Sequence, residues 1–334
     1  MSLTDGAILP GWPIDIADAL QRSGRHFDPR IQNQRTALTL LDGTVYVAFG
    51  GHFGDCGEYH GWVVGLPLRN PGQPVSFQTR ARGGGIWAPG GLSVVGDHIF
   101  FATGNTFGAS TWSDGEAVFR VGPDLQRSES KRDYFAPSDW KVLDAHDEDL
   151  GGSNPLPFKI PDTRGGEHDV VLALGKDRKA YLLDGNALGG IGGQLAQSIG
   201  SEISIITAPA VYPVDSDVFV ALGANCPNAS RNHDLTVLKI TGGSTPSMTT
   251  AWFGAVAGRG SPIVTTTDGH SDPIVWVLGA EGDNRLHAFR GDTGEAIFAS
   301  APLTGLRHFQ TLIATQDRLY VGADERVFAF DFGK

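Results

Sequence analysis

Cysteine is scarce in this sequence. Cys56 and Cys226 are the only two in 334 residues, they stand far apart, and neither belongs to a Cys-x-x-Cys pair, which excludes zinc-ribbon and c-type haem-attachment spacings. They form either one disulfide or two free thiols, and two free, buried thiols is the more economical reading. Long apolar runs are missing as well. No stretch approaches the ~18 residues of a membrane span, so membrane insertion is not expected. The opening residues Met1-Ser2-Leu3-Thr4-Asp5-Gly6 do not form a signal peptide. Basic residues are outnumbered, 26 Lys and Arg against 37 Asp and Glu, for a net charge of −11. That excludes the broad basic surface needed for nucleic acid or anionic membranes. No His-x-His, His-Glu-x-x-His or Gly-x-Ser-x-Gly motif occurs. Arg82-Gly-Gly-Gly85 and Gly189–Gly193 lack the Lys-Ser/Thr of a phosphate loop and read as turns.

Glycine is abundant. The chain holds 46, about twice the usual ~7% share, and shows no Gly-x-y period. With 19 prolines and 40% hydrophobic residues, this composition suits many short strands joined by tight turns around a real core. The clearest example runs from Val171 to Asp184, where an apolar run meets the turn Gly175-Lys176-Asp177 and a second apolar run stops at Asp184-Gly185. Apolar runs bounded by Gly and Asp are hairpin signals. Asn228-Ala-Ser230 fits the N-glycosylation pattern, a triplet that also arises by chance.

The phrase recurs. A first unit reads as strands at 37–41, 44–50, 62–66 and 74–79, and a second at 92–95, 98–103, 117–121 and 128–134. A third reads at 154–158, 168–174, 179–183 and 194–197, and a fourth at 207–212, 217–222, 235–240 and 249–252. A fifth reads at 261–265, 274–278, 286–289 and 296–298. The last unit, within 307–334, has three strands (311–314, 319–321, 327–330), and residues 3–14 contain a spare outer strand. A helical turn is expected at 16–20. Equivalent strands recur every roughly 45–70 residues, the period of propeller blades, and no amphipathic helix of ordinary length separates them. The fold class is therefore all-β. It is one domain over 1–334, a β-propeller of six four-stranded antiparallel blades closed by pairing residues 3–14 with the last blade. Seven or eight blades apply if the chain is a piece of a longer one.

Arg285-Leu-His-Ala-Phe-Arg-Gly-Asp-Thr-Gly-Glu295 and Gly175–Asp184, with Glu325–Asp331 as a weaker copy, resemble the repeats of the pyrroloquinoline-quinone (PQQ)-like β-propellers, the quinoprotein alcohol dehydrogenase-like superfamily. Tyr59-His-Gly-Trp62, Gly83–Trp87, Phe101–Asn105 and Asp147–Gly151 resemble a mostly uncharacterised bacterial branch of it. The resemblance spans nearly the whole chain and bears on fold more than on activity. It implies a periplasmic or extracellular protein. There are departures. Active quinoproteins of this fold carry a ring of neighbouring cysteines over the quinone, whereas Cys56 and Cys226 are isolated. Phe298 stands where the repeat usually has Trp, and Arg290 where it has Asp. No haem-attachment motif is present.

Several residues are candidates for chemistry. Asp147 and Asp149 alternate in His146-Asp-Glu-Asp149, and on an extended segment both project to one side, so they could hold calcium or cap a turn. His60 and His146 lie in loop positions open to acid–base or ligand roles, though His60-Gly-Trp62 also suits a loop-fixing pair. Arg35, Trp87, Arg259 and His308 each precede a first strand, where a propeller channel opens. There they would offer guanidinium donors and an aromatic face, or tie neighbouring blades. The reading favoured is a non-catalytic propeller that binds a protein or small-molecule partner through its rim or channel, without cofactor. The alternative is a PQQ- and calcium-dependent quinoprotein dehydrogenase acting on an alcohol or sugar, with Asp147 or Asp149 as base.

Overall fold

Asp42 and Gly43 carry positive φ angles of 46° and 72°, as a tight hairpin turn requires, and strands Thr39–Leu41 and Thr44–Gly51 pair antiparallel across them. The computed structural model describes residues 1–163, 165–224 and 233–332. Cys226 and the Asn228–Ser230 triplet lie outside the described residues.

Thr39–Leu41 and Thr44–Gly51 continue into Trp62–Pro67 and Val75–Gln78 to complete blade 1, with Gln32–Asn33 paired to the far end of Thr44–Gly51. Blade 2 holds Ser93–Val95, His98–Thr103, Ala117–Val121 and Tyr134–Ala136. Blade 3 holds Leu156–Pro161, Glu167–Leu174, Lys179–Asp184 and Ala196–Ile199. Blade 4 holds Ala210–Val214, Asp217–Leu222, Leu235–Thr241 and Ser247–Gly254. Blade 5 holds Ile263–Thr265, Ile274–Leu278, Leu286–Arg290 and Ala296–Ala299. Blade 6 holds Leu312–Ala314, Arg318–Ala323 and Arg326–Asp331. The protein is thus an all-β, six-bladed propeller of small antiparallel sheets.

Two local readings shift. The fourth strand of blade 2 begins at Tyr134, because Ser128 and Ser130 turn the preceding residues by accepting the N–H groups of Ser130 and Arg132. Gly190–Ile191, within the glycine-rich stretch read as turn, forms a short strand parallel to Tyr134–Ala136. The expected helical turn is α1, Ile16–Arg22, capped by Asp15. A second short helix, α2, Trp140–His146, was not foreseen.

The core lies between blades. Tyr46, Val63 and Phe77 meet Phe101 and Phe119 between blades 1 and 2. Phe100 and Phe135 meet Val171 and Tyr181 between blades 2 and 3. Similar clusters join blades 3 and 4, 4 and 5, and 5 and 6. Burying each of these large side chains contributes about 1.5–3 kcal/mol.

The remaining face of blade 1 is treated differently. Val47, Phe49, Trp62 and Val64 are covered by Leu20 of α1 and by Phe27, with Trp12 and Ile14 packed alongside. This corrects the expected closure. Residues 3–14 form no strand, and the last blade has three strands. Pro10 and Pro13 supply no N–H for a ladder, and Trp12 and Ile14 find apolar cover on blade 1. Cys56 is a free thiol and exposed rather than buried.

Candidate functional site

In a four-stranded antiparallel blade, the loop between the second and third strands and the link to the next blade emerge at the same end. Arg35, Trp87, the 146–152 link, Arg259 and His308 therefore share one end of the propeller with the loops at 104–116, 175–178 and 279–285. What this end can do follows from how its side chains are held.

Asp149 is buried there, 1% exposed. Its Oδ1 accepts the Asn105 N–H at 2.8 Å, and its Oδ2 pairs with the Lys176 ammonium. Lys176 also reaches Asp147, which is exposed, at 3.1 Å, and its own N–H donates to the Asp149 carbonyl at 2.9 Å. Asp147 adopts a left-handed conformation that ends α2. Glu116 lies beneath, fully buried. Its Oε2 accepts the Leu150 N–H at 2.7 Å, while Oε1 meets no partner among the described residues. Burial, reinforced by Asp149, pushes Glu116 well above the usual carboxylate range. Burial also raises Asp149, but Lys176 and the Asn105 amide oppose that. Glu116 is therefore the member of the pair that takes up a proton first.

Trp87 is wedged among backbone. Its indole N–H donates to the Gly51 carbonyl at 3.2 Å, and a side chain at Gly50, Gly85 or Gly104 would collide with its ring. These glycines are required for close approach. Arg35 donates to the Trp87 carbonyl at 3.3 Å. Its guanidinium lies 5.8 Å from the Trp87 ring and 4.4 Å from Phe309, which joins blade 1 to the entrance of blade 6. His308, its ring tilted against Phe309 at a centroid distance of 3.9 Å, bonds to Glu281 at 2.7 Å. Arg259, His308, Glu281 and Asp234 line a cavity of about 370 Å³.

The structure thus gathers Arg35 and Trp87 in one group, Asp147 and Asp149 in a second, and Arg259 and His308 in a third, all at one end. His60, in the 52–61 loop of blade 1, and His146, in the link into blade 3, lie at the same end but join none of these groups. His60 contacts the Thr79 carbonyl at 2.9 Å and lines a separate cavity beside Arg25 and Trp62. His146 contacts the Val142 carbonyl within α2. Lys176 and Glu116 were missed by the sequence reading: Lys176 because Gly175-Lys-Asp177 reads as an ordinary turn, Glu116 because one acid opening an apolar strand carries no motif. Arg35 makes the inter-blade tie suspected of it, through the Trp87 carbonyl and Phe309, and a further tie through a carboxylate is made by Arg80, which with Arg127 clamps the fully buried Asp114 at 2.8 and 2.6 Å.

A calcium ion would need the oxygens of both aspartates free of other cations. Lys176 puts a positive charge between the two aspartates expected to hold calcium. The two aspartates therefore do not present an open calcium site. Trp87 is nearly buried and packs close to Gly50, Gly85 and Gly104, with the Arg35 guanidinium 5.8 Å from its ring.

No protein-family model matches the sequence, and no curated protein matches it. Solved structures do. A quinohemoprotein alcohol dehydrogenase of Pseudomonas putida HK5 is 12% identical over 86% of this chain and 55% of its own, with a TM-score of 0.55. A europium-containing methanol dehydrogenase is 12% identical over 89% and 66%, with a TM-score of 0.58. A chain in a mitotic checkpoint complex is 10% identical over 93% and 77%, with a TM-score of 0.53. The chain spans about half to two thirds of the length of the two dehydrogenases. These likenesses establish the fold, a β-propeller.

Proposed function

We propose that this protein is a non-catalytic binding propeller whose channel mouth receives a small molecule, or a partner's side chain, that carries a carboxylate together with a hydrogen-bond donor. The observation that carries this reading is the state of Arg259 and Arg35. Arg80, Arg120, Arg127, Arg307 and Arg318 each pair with a carboxylate, whereas Arg35 and Arg259 form no ion pair among the described residues, Arg35 feeling the Asp149 charge only at a distance. Guanidinium groups held in this way favour bidentate recognition of a carboxylate. Glu281 in the same cavity, in contact with His308, supplies an acceptor for a donor on the ligand.

The dehydrogenase reading needs Asp147 or Asp149 as a base or calcium ligand. Asp149 is committed to an amide and an ammonium, and Asp147 shares that ammonium, so neither supports it. We place the protein outside the cytoplasm on the strength of the repeat resemblance alone. No helix among the described residues is long and apolar enough to cross a membrane.

The test is calorimetric titration with mono-, di- and tricarboxylates and with amino acids. Binding that weakens at least tenfold in Arg259→Ala supports the reading. Equal binding by both proteins, or none by either across the panel, overturns it.

A further inference from the structure

A cavity of about 610 Å³ opens beside the 52–61 loop, between blade 1 and residues 24–32. Both of its walls are fixed. Phe27 packs edge-on against Phe49 and Trp62, with ring centroids 4.9 and 5.6 Å apart, and Gln32–Asn33 pairs with Gly50 and Gly51. Gln32 is buried. With its amide turned to satisfy its neighbours, the NH2 group donates to the His60 and Gly50 carbonyls, both at 3.0 Å. A side chain at Gly57 would meet Ile31 at 2.6 Å, so the loop and the segment stand in close contact.

Arg25, His26, Asp28, Glu58, His60 and Gln78 line this cavity. Its two acids are already matched. Asp28 accepts from Arg30 at 2.9 and 2.8 Å, and Glu58 faces Arg82 at 3.5 Å. Arg25 forms no ion pair among the described residues. Its guanidinium lies over Trp62, 5.3 Å from the ring centroid, and donates to the neutral Gln78 amide oxygen at 3.3 Å. The stacking orients the planar fork without neutralising it. His60 is oriented as well. The Thr79 carbonyl, 2.9 Å from Nδ1, can only accept, so Nδ1 carries the proton. Nε2 then has no partner among the described residues. In a chain of net charge −11, the uncommitted groups of this cavity are a guanidinium and two imidazoles.

We infer that the cavity binds the phosphate monoester of a small hydroxylated molecule. A phosphate ester offers three terminal oxygens to meet Arg25, His26 and His60 from separate directions, whereas a carboxylate offers two. The Arg25 fork takes two of the oxygens side by side. Nε2 of His60 accepts from a phosphate hydroxyl, or donates to a phosphate oxygen when the ring is protonated. Glu58 and Gln78 supply acceptors for hydroxyls on the carbon skeleton. The volume is that of a small-molecule site, and the overall negative charge opposes a long polyanion such as nucleic acid. The site shares no residue with the Arg259 and His308 cavity.

The test is calorimetric titration of the full chain with glycerol 3-phosphate and glucose 6-phosphate, with glycerol and glucose as phosphate-free controls. The esters should bind and the controls should not. Arg25 is exposed, so Arg25→Ala should keep the parent melting temperature while weakening the esters at least tenfold. Arg259→Ala, at the channel mouth, should leave ester binding unchanged, which separates this site from the carboxylate site proposed there. Binding of neither ester, equal binding by Arg25→Ala and the parent, or a loss in Arg259→Ala instead overturns the inference.

Discussion

The Asp149 carboxylate accepts the backbone N–H of Asn105 at 2.8 Å, fastening the link into blade 3 to the end of the second strand of blade 2. Lys176, from the second hairpin of blade 3, closes on the same carboxylate. A pair of aspartates that resembles a cation site in sequence is, in space, a latch with its own cation built in. Removing one partner of a buried, hydrogen-bonded pair leaves the rest unsatisfied, so Asp149→Ala should lose about 3 kcal/mol in urea unfolding. Asp147→Asn, at an exposed position, should change stability by no more than about 0.5 kcal/mol. Equal losses would show that the two carboxylates do not have these separate roles.

Glu116 predicts a dependence on pH. Burial raises its folded-state value above the ordinary 4.5, with Asp149, Asp144 and Asp177 adding repulsion and the Leu150 N–H opposing. Above 4.5 the unfolded chain releases this proton while the folded chain keeps it. The native state then binds more protons, and stability falls as pH rises toward the folded value. Glu116→Gln removes that slope. Melting temperatures across pH 5 to 8 should show the variant gaining on the wild type as pH increases, and a constant difference would argue against a buried, protonated Glu116.

Packing at the mouth predicts a third outcome. Gly104 lies against Trp87 and Asp149 with no space for a side chain. Gly104→Ala forces the indole or the carboxylate to move and should cost about 1–3 kcal/mol. Gly43→Ala, where nothing stands within 4 Å but φ is 72°, tests backbone strain alone and should cost about 1 kcal/mol. Urea midpoints for the two variants separate the causes.

The blades were legible because their turns are local. Asp42-Gly43 and Gly96-Asp97 interrupt apolar runs where the chain must reverse, and the strands Asp217–Leu222 and Ile274–Leu278 begin and end where the sequence pattern puts them. What was not legible depends on distant partners. Residues 3–14 have the pattern of an outer strand, but Trp12 and Ile14 pack on blade 1 instead, and no local signal shows that competition. α2 is seven residues long, too short to show a helical period. Arg35, Trp87, Arg259 and His308 were placed at one end by counting strands, whereas the latch required knowing that Lys176 meets Asp149 across a blade boundary.

The central claim is that the mouth binds without catalysing. The most direct measurement is a titration with PQQ, with and without calcium, following tryptophan fluorescence and dye reduction with an alcohol panel. With Lys176 between the aspartates and Trp87 covered by backbone, the account predicts no calcium-dependent quenching and no dye reduction. Calcium-dependent quenching accompanied by dye reduction would contradict it and make the mouth the active site of a quinoprotein.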